Sequence, residues 1–154
     1  MPATSALVIG GSLAGMCAAR VLSDVFDKVT IIERDAYPSG PDFRQGVPQA
    51  RHVHNLLARG LREFESFFPG FESRMRERGA VPVESGWDTA TLWAHGWARR
   101  AHTGLWQLYA SRPLIEGTVL EMCRRLPNVT FLERTEVTAL QAAGGTQRYC
   151  TGVE

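Results

Sequence analysis

Apolar residues cluster in two short runs near the N-terminus, at residues 6–9 and, with one threonine, at residues 29–32. The first run, centred on residues 7–9, is typical of a parallel strand that is buried on both faces. The second run is rich in β-branched residues and predicts another strand. Between them, a stretch from about Leu13 to Ser23 has the character of a helix. This order of elements predicts a βαβ unit.

A glycine-rich turn at residues 10–15 joins the first predicted strand to the helix. Gly10 permits the sharp turn, and Gly15 lets the helix pack close to the sheet. Ser12 stands where the G-x-G-x-x-G pattern has its second glycine, and its hydroxyl is expected to donate to a phosphate oxygen. The helix N-terminus directs N–H groups to the same place. The segment predicts a site for the diphosphate of a dinucleotide; the alternative is a glycine-rich turn without a ligand.

An acidic residue, Glu33, ends the second apolar run. A carboxylate at this place can accept hydrogen bonds from both hydroxyls of an adenosine ribose. It also disfavours a 2′-phosphate, because two negative charges would then meet. The sequence therefore favours NAD or FAD over NADP.

Helical periodicity returns after a loop at residues 36–49 that is rich in proline, glycine and polar residues. Apolar residues recur there at three- and four-residue intervals. Ser111 is a suitable N-cap for the last helix, and Pro113 falls in its first turn. The predicted helices cover residues 51–68, 72–78 and 112–126.

Strand patterns fill the rest of the chain. Residues 80–110 hold all four tryptophans and several glycines, and they predict β-strands or hairpins. Nearer the C-terminus, strands are expected at residues 128–132, 134–140 and 148–153, the last pairing across a turn at Gly144-Gly145. A doubly wound cofactor domain has more parallel strands than the three predicted here. We therefore expect the chain to be part of something longer.

Composition narrows the class of protein. A chain of 154 residues with 44% hydrophobic content can form one domain with a core, and a net charge of +1 gives no electrostatic reason to expect nucleic acid or an anionic membrane as partner. Glycines and Arg20 interrupt the apolar start, which argues against a signal peptide or a membrane span. Cys17, Cys123 and Cys150 lack metal-ligand spacing. Cys17 and Cys123 fall in predicted helices, where free, reduced thiols are usual, so a cytoplasmic protein is expected.

Side chains with catalytic potential form no recognisable constellation. His52 and His54 would point to different sides of a helix, so no metal site is predicted. His95 and His102 are expected at the surface. The four tryptophans either line a cavity for an aromatic substrate or pack a small sheet. No Ser–His–Asp arrangement supports hydrolysis, and catalytic residues stay unassigned.

Three segments together resemble a known family. They are residues 8–15 (Val-Ile-Gly-Gly-Ser-Leu-Ala-Gly), residues 29–35 (Val-Thr-Ile-Ile-Glu-Arg-Asp) and residues 44–60, with Arg44-Gln45-Gly46-Val47-Pro48-Gln49, His52, His54 and Gly60. The combination resembles the N-terminal part of bacterial FAD-dependent oxidoreductases. These are similar to the aromatic-ring flavin monooxygenases and, more loosely, to flavin halogenases and geranylgeranyl reductases. Residues 44–60 are the more specific part, because many cofactor folds share the glycine fingerprint.

The resemblance implies an α/β fold, a partial Rossmann-like βαβ dinucleotide-binding domain with an inserted β-rich segment that faces the substrate. Residues 1–154 would then divide into the fingerprint (1–35), a loop with helices (36–79), the β-rich insert (80–111) and a helix, third strand and hairpin (112–154). The implied cofactor is FAD, with Arg44 near its ribityl–diphosphate region and Arg112 at the start of a helix that contacts it. The implied cofactor-binding residues are Gly10, Gly11, Ser12, Leu13, Ala14, Gly15, Glu33, Arg34, Arg44 and Arg112.

The same resemblance implies a function for the parent enzyme. It would be a flavin-dependent oxidoreductase, in the first place a monooxygenase that acts on a small organic molecule with NAD(P)H as reductant. The family's later Gly-Asp motif and most of its substrate domain have no counterpart in this sequence. Two alternatives stay open: a non-catalytic remnant of such an enzyme, and an NAD-binding dehydrogenase domain, against which residues 44–60 count.

Overall fold

The computed structural model describes residues 4–145 and 148–154, which form two compact units. Of these described residues, the first unit takes those within Met1–Gly40, Arg44–Pro48 and Val119–Glu154, and the second takes those within Pro41–Phe43 and Gln49–Thr118. The helices are α1 (Leu13–Leu22), α2 (Ala58–Phe67), α3 (Phe71–Glu77) and α4 (Arg112–Arg124), with a 3-10 turn at Pro48–Arg51. The strands are β1 (Ser5–Ile9), β2 (Lys28–Ile32), β3 (Asn55–Leu56), β4 (Val81–Glu84), β5 (Leu92–Trp93), β6 (Gly96–Trp97), β7 (Trp106–Tyr109), β8 (Val129–Leu132), β9 (Leu140–Ala143) and β10 (Tyr149–Val153).

A three-stranded parallel sheet in the order β1–β2–β8 is the centre of the first unit. Its register places Val8 beside Ile31 and Ile31 beside Phe131. Helix α1 connects β1 to β2, as a parallel crossover requires. The predicted βαβ unit and the predicted third parallel strand are confirmed.

The prediction that the first strand is buried on both faces is wrong. Strand β1 lies at the edge of the sheet, where Val8 is buried but Leu7 and Ile9 are 46% and 55% exposed. Because side chains alternate along a strand, the two exposed residues share the face opposite Val8. Continuous burial on both faces occurs instead in the central strand β2, at Val29, Thr30, Ile31 and Ile32.

Helix α1 and the end of α4 supply the core of the first unit. Met16 and Ala19, three residues apart on α1, are fully buried. Cys123 of α4 is also buried, and its Sγ lies 3.9 Å from the Met16 carbonyl oxygen. The Asn128 amide, just before β8, donates to the carbonyl oxygens that follow α1, at 2.8 Å for Ser23.

Strands β9 and β10 form an antiparallel hairpin. The predicted strand at residues 148–153 is confirmed, and Gly144 of the predicted turn has a left-handed backbone (φ 105°). Thr146 and Gln147 lie outside the described residues. The predicted strand at residues 134–140 is wrong except at its last residue. Arg134 has a left-handed backbone (φ 55°), and the Thr135 amide donates to the Glu33 carbonyl oxygen at 3.0 Å. This segment therefore turns along the end of β2 instead of extending.

The second unit contains an antiparallel sheet in the order β3–β7–β4. Leu108 of β7 is fully buried and pairs with Leu56 on one side and Pro82 on the other. Helices α2 and α3 contribute Phe64 and Phe71, whose rings stack with centroids 5.1 Å apart.

The predicted helix over residues 51–68 begins too early. Helix α2 starts at Ala58, and the preceding residues form the 3-10 turn and the short strand β3. Asn55 explains the difference, because its side-chain amide donates to Gln107 of β7 at 2.7 Å while its backbone pairs with the same strand. A long-range sheet contact here overrides a local helical pattern.

The β-rich character of residues 80–110 is confirmed, but its tryptophans do not form a core. All four are exposed. Leu92 pairs with Trp97 in a separate two-stranded hairpin, and Trp106 lines a cavity of about 280 Å³ with Leu61. Within residues 4–145 and 148–154, no helix combines the length and the apolar character needed to cross a membrane.

Candidate dinucleotide-binding site

The turn after β1 needs glycine at its first position. Gly10 has φ +90°, a left-handed conformation that residues with a Cβ rarely adopt. Its amide donates to the Ile32 carbonyl oxygen at 2.8 Å, so the turn is fixed to the end of β2. The fingerprint and the acid that follows β2 are thereby held at the same edge of the sheet.

Gly15 allows the closest approach in the turn. A Cβ built on Gly15 would lie 1.9 Å from the Gly10 carbonyl oxygen and 3.4 Å from a Val8 methyl group. Backbone atoms cannot move aside as a flexible side chain can. The close packing predicted for Gly15 is therefore present in the structure.

Helix α1 presents its first amides beside this turn. Leu13 and Ala14 are its first two residues, and amides in a first helical turn have no carbonyl partner inside the helix. Ser12 is the N-cap residue, and its side chain makes no capping hydrogen bond to them. These amide donors make the N-terminus of α1 a suitable binding place for an anionic group.

A buried cluster of charges follows β2. The Glu33 and Arg44 side chains are each 7% exposed, and their Oε2 and Nη1 atoms are 3.2 Å apart. Arg44 Nη1 also lies 3.1 Å from Asp35 Oδ2. One guanidinium thus balances two carboxylates, which lowers the cost of burying either.

The Glu33 carboxylate is already hydrogen-bonded within the protein. Its Oε2 accepts from the Gly11 amide at 2.7 Å, and its Oε1 accepts from the Asp35 amide at 3.0 Å. A carboxylate has about four lone-pair sites, and these two amides and Arg44 use three of them. Glu33 therefore both fixes the glycine turn and retains room for one further donor.

Sequence reasoning missed the contacts that clamp the turn from residues 35–46. The Tyr37 hydroxyl donates to the Gly11 carbonyl oxygen at 2.7 Å, and the Gly46 amide donates to Asp35 Oδ2 at 2.7 Å. A Cβ on Gly46 would lie 2.3 Å from the same oxygen. Gly46 stood inside the more specific family segment, which was the only indication of a role; nothing in the local pattern pointed to Tyr37.

A cavity of about 330 Å³ opens at this edge of the sheet. It brings together several residues that the sequence singled out and others that it did not. The predicted residues that line it are Gly10, Ser12, Glu33, Arg34 and Arg44. The additional ones are Ile9, Ile32, Gly46, Thr135, Glu136 and Val137, the last three from the segment predicted as a strand.

Arg112 belongs to the second unit. It is the first residue of α4, and its Nε is 3.2 Å from Glu116 Oε2. The Ser111 hydroxyl accepts from the Leu114 amide at 3.3 Å, which confirms the predicted N-cap. The contact between Arg112 and FAD stays a prediction.

The residues around this cavity fit the adenosine and diphosphate part of a dinucleotide. The glycine turn has no room for a Cβ at Gly15, α1 offers amide donors, and Glu33 retains one acceptor site. Arg34 is exposed and lines the cavity beside Glu33, where its guanidinium can face a flat ring or an anion.

Comparison with known proteins gives one curated relative by sequence. Protein Rv3254 of Mycobacterium tuberculosis (strain ATCC 25618 / H37Rv) is 42% identical over 137 residues, which cover 86% of this chain and 29% of that protein. No family model matches the chain. The chain therefore spans less than a third of the length of a protein to which it is clearly similar.

Solved structures similar in fold include several oxygenases. The tetrameric form of 2-methyl-3-hydroxypyridine-5-carboxylic acid oxygenase matches with a TM-score of 0.63 at 19% identity, over 89% of this chain and 33% of its own. PqsL of Pseudomonas aeruginosa, a probable FAD-dependent monooxygenase, matches with a TM-score of 0.60 at 17% identity, over 91% and 35%. The p-nitrophenol 4-monooxygenase PnpA of Pseudomonas putida DLL-E4 matches with a TM-score of 0.63 at 17% identity, over 97% and 36%. The chain has the mixed α/β fold of about a third of these enzymes.

Proposed function

We propose that this chain is the FAD-binding part of a flavin-dependent oxidoreductase, and that the parent enzyme is a monooxygenase acting on a small organic molecule. The observation that carries the proposal is the cavity of about 330 Å³ that joins the glycine turn to the buried acid after β2. The similarity in fold to solved monooxygenases supports it.

The first step is binding of the diphosphate at the start of α1. Amides in a first helical turn and the positive end of the helix dipole favour an anion there. Gly10 forms the left-handed turn and Gly15 lets α1 begin close against it, which places these amides beside the cavity. Ser12 also lines the cavity, so its hydroxyl is a further candidate donor to the diphosphate.

The second step is recognition of the adenosine ribose by Glu33. The Gly11 amide, the Asp35 amide and Arg44 occupy three of the four lone-pair sites of this carboxylate, so one site remains. We infer that Glu33 takes a single ribose hydroxyl, and not both as the sequence alone suggested. A 2′-phosphate would still meet this carboxylate and Asp35, which disfavours NADP at this site.

Bound FAD would supply the redox chemistry, taking electrons from a nicotinamide reductant and passing them to oxygen. The residues of this chain bind and orient that cofactor. The names of two of the similar oxygenases specify small organic compounds, which supports that class of substrate for the parent enzyme. No side chain here is assigned to proton transfer.

The test is titration of FAD with the purified 154-residue chain, in which quenching of the flavin fluorescence reports binding. We expect saturable binding that Glu33→Gln weakens about tenfold, since a hydrogen bond to a charged group contributes about 1.5 kcal/mol. Ser66→Ala, an exposed position on α2 in the other unit, is the matched control and should leave the affinity unchanged.

Two results would contradict the proposal. Saturable binding of NADH with no binding of FAD would favour a dehydrogenase domain. A folded chain that binds neither nucleotide would favour the remnant, in which the turn is kept but the cofactor is not held.

A further inference from the structure

The two peptide groups on either side of Gly11 are each held by a side chain. The Gly11 amide donates to Glu33 Oε2 at 2.7 Å, which holds the peptide between Gly10 and Gly11. The Gly11 carbonyl oxygen accepts from the Tyr37 hydroxyl at 2.7 Å, which holds the peptide between Gly11 and Ser12. Both bonds are made within the protein, so they order the glycine turn independently of any ligand.

The bond from Tyr37 sets the direction in which α1 begins. In a trans peptide, as this one is, the carbonyl oxygen and the amide hydrogen point to opposite sides. Because Tyr37 holds the Gly11 carbonyl oxygen, the Ser12 amide is directed away from Tyr37. Ser12 is the N-cap of α1, and the first-turn amides of Leu13 and Ala14 follow it. A rotation of the Gly11–Ser12 peptide would therefore change where those amides point.

The Tyr37 side chain is itself fixed in place. Its backbone amide donates at 2.9 Å to Glu133 Oε2, which follows β8. The guanidinium carbons of Arg44 and Arg124 lie 5.3 and 5.5 Å from the centroid of its ring. The Phe131 ring meets it edge-on at a centroid distance of 5.6 Å. These contacts restrict the ring, so the hydroxyl is held where it meets Gly11.

Tyr37 acts on the cavity only through the glycine turn. Gly10 and Ser12, on either side of Gly11, line the cavity of about 330 Å³, whereas Tyr37 is not among the described residues that line it. A tyrosine hydroxyl has one proton to donate, and here Gly11 accepts it. An effect of this hydroxyl on a ligand in the cavity must therefore pass through the turn.

We propose that Tyr37 is a positioning residue for the diphosphate, an inference that rests on the proposed binding of FAD. Its hydroxyl fixes the peptide before α1, so that the first-turn amides meet the diphosphate without reorganisation. Donors that are ordered in advance bind more tightly, because no interaction energy is spent on ordering them. Loss of the Tyr37 hydroxyl should thus weaken ligands that carry a diphosphate and should not weaken adenosine.

The test measures the affinities of FAD, ADP and adenosine for the 154-residue chain by isothermal titration calorimetry. Tyr37→Phe keeps the ring and removes only the hydroxyl. We expect it to weaken FAD and ADP about fivefold, the usual contribution of one hydrogen bond, and to leave adenosine unchanged. Glu33→Gln should weaken all three ligands, because Glu33 serves both the turn and the ribose. Tyr149→Phe is the matched control, since Tyr149 is 62% exposed on β10 of the same unit, and it should alter no affinity.

The split between ADP and adenosine separates positioning from a general loss of structure. An ADP affinity that Tyr37→Phe leaves unchanged would overturn the proposal, and so would an equal loss for adenosine. If the chain binds ADP but not FAD, and Tyr37→Phe weakens ADP alone, the proposed function is contradicted and the role of Tyr37 stands. If the chain binds neither FAD nor ADP, both are refuted. Unaltered near-ultraviolet circular dichroism shows that the variants are folded.

Discussion

The Tyr37 hydroxyl donates a hydrogen bond to the Gly11 carbonyl oxygen at 2.7 Å, and a Cβ added to Gly11 would lie 1.7 Å from that same hydroxyl. The tyrosine therefore occupies the space that only glycine leaves open at this position. Its ring is itself held, with its edge toward Phe131 at a centroid distance of 5.6 Å and the Arg44 guanidinium 5.3 Å away. Gly11 is thus required by a contact with Tyr37, a residue 26 positions further along the chain.

Gly11→Ala should destabilise the chain by about 1–3 kcal/mol, the usual cost of overpacking. Tyr37→Phe alone should cost about 1 kcal/mol through the lost hydrogen bond. In the double variant the new methyl group no longer meets a hydroxyl, so the two costs should not add. Denaturant unfolding of all four proteins measures this coupling, and strictly additive costs would contradict the contact.

Gly15→Ala tests a clash with backbone atoms. The new methyl group would lie 1.9 Å from the Gly10 carbonyl oxygen, so we expect loss of stability and of FAD binding together. Gly117→Ala is the control, because Gly117 lies in helix α4 and its Cβ would make only an ordinary contact with Pro41 at 3.7 Å. That control should gain up to about 1 kcal/mol from helix propensity. Equal effects of the two substitutions in thermal unfolding would refute the close approach.

Arg44→Met should destabilise the chain by about 3–5 kcal/mol, because it leaves Glu33 and Asp35 close together without their shared cation. Arg59→Met removes an arginine that is 85% exposed and paired with Glu63, and it should cost under about 1 kcal/mol. Both are measured by urea unfolding. Similar costs for the two variants would mean that the buried cluster contributes no more than a surface ion pair.

Much of the fold follows from local sequence. The buried parallel strand at residues 28–32 restricts which residue types fit, Gly10 is required by a left-handed conformation, and Gly15 is required by a close backbone approach. Ser111 likewise marks the start of α4 by its capping hydrogen bond. These features depend on neighbours in the chain, so a single sequence is enough to predict them.

The errors occur where distant contacts decide the conformation. Residues 55–56 became a strand because they pair with β7, and residues 134–139 turn along β2 because the Thr135 amide donates to the Glu33 carbonyl oxygen. The hydrogen bonds of Tyr37 and Gly46 were missed for the same reason. These contacts form where the loop at residues 35–46 packs on the glycine turn. A loop has no hydrophobic periodicity, so the sequence pattern gives no signal from which to predict them.

The stability of the second unit should depend on pH through Glu84. Hydrogen bonding to His102, and then to the Gly104 amide, holds the pKa of Glu84 below its ordinary value of 4.5. A carboxyl whose pKa is lowered by folding contributes stability above its unfolded pKa and loses it as the pH falls through the folded pKa. The difference in melting temperature between the unaltered chain and Glu84→Gln should therefore be largest above pH 4.5 and shrink below it.

The titration of Asp27 does not affect this difference in melting temperature. Its pKa is also lowered, chiefly by the Thr4 amide hydrogen bond, but it is present in both proteins and cancels in the difference. Replacing His102 by alanine removes the main cause of the lowered Glu84 pKa, so the difference should be smaller above pH 4.5 and should be lost over a narrower range that ends at a higher pH. A difference between the unaltered chain and Glu84→Gln that stays constant across the acid range would exclude this role.

The three thiols should react in an order that is set by burial. Desolvation raises the pKa of Cys123 to about 12, so almost no thiolate forms there at mildly alkaline pH. Burial also raises the pKa of the partly buried Cys17. Cys150 is exposed on β10, and iodoacetamide should label it first in the folded chain. Peptide mass mapping measures the order, with Cys150→Ser as control; rapid labelling of Cys123 before unfolding would show that the packing of α4 against α1 opens readily.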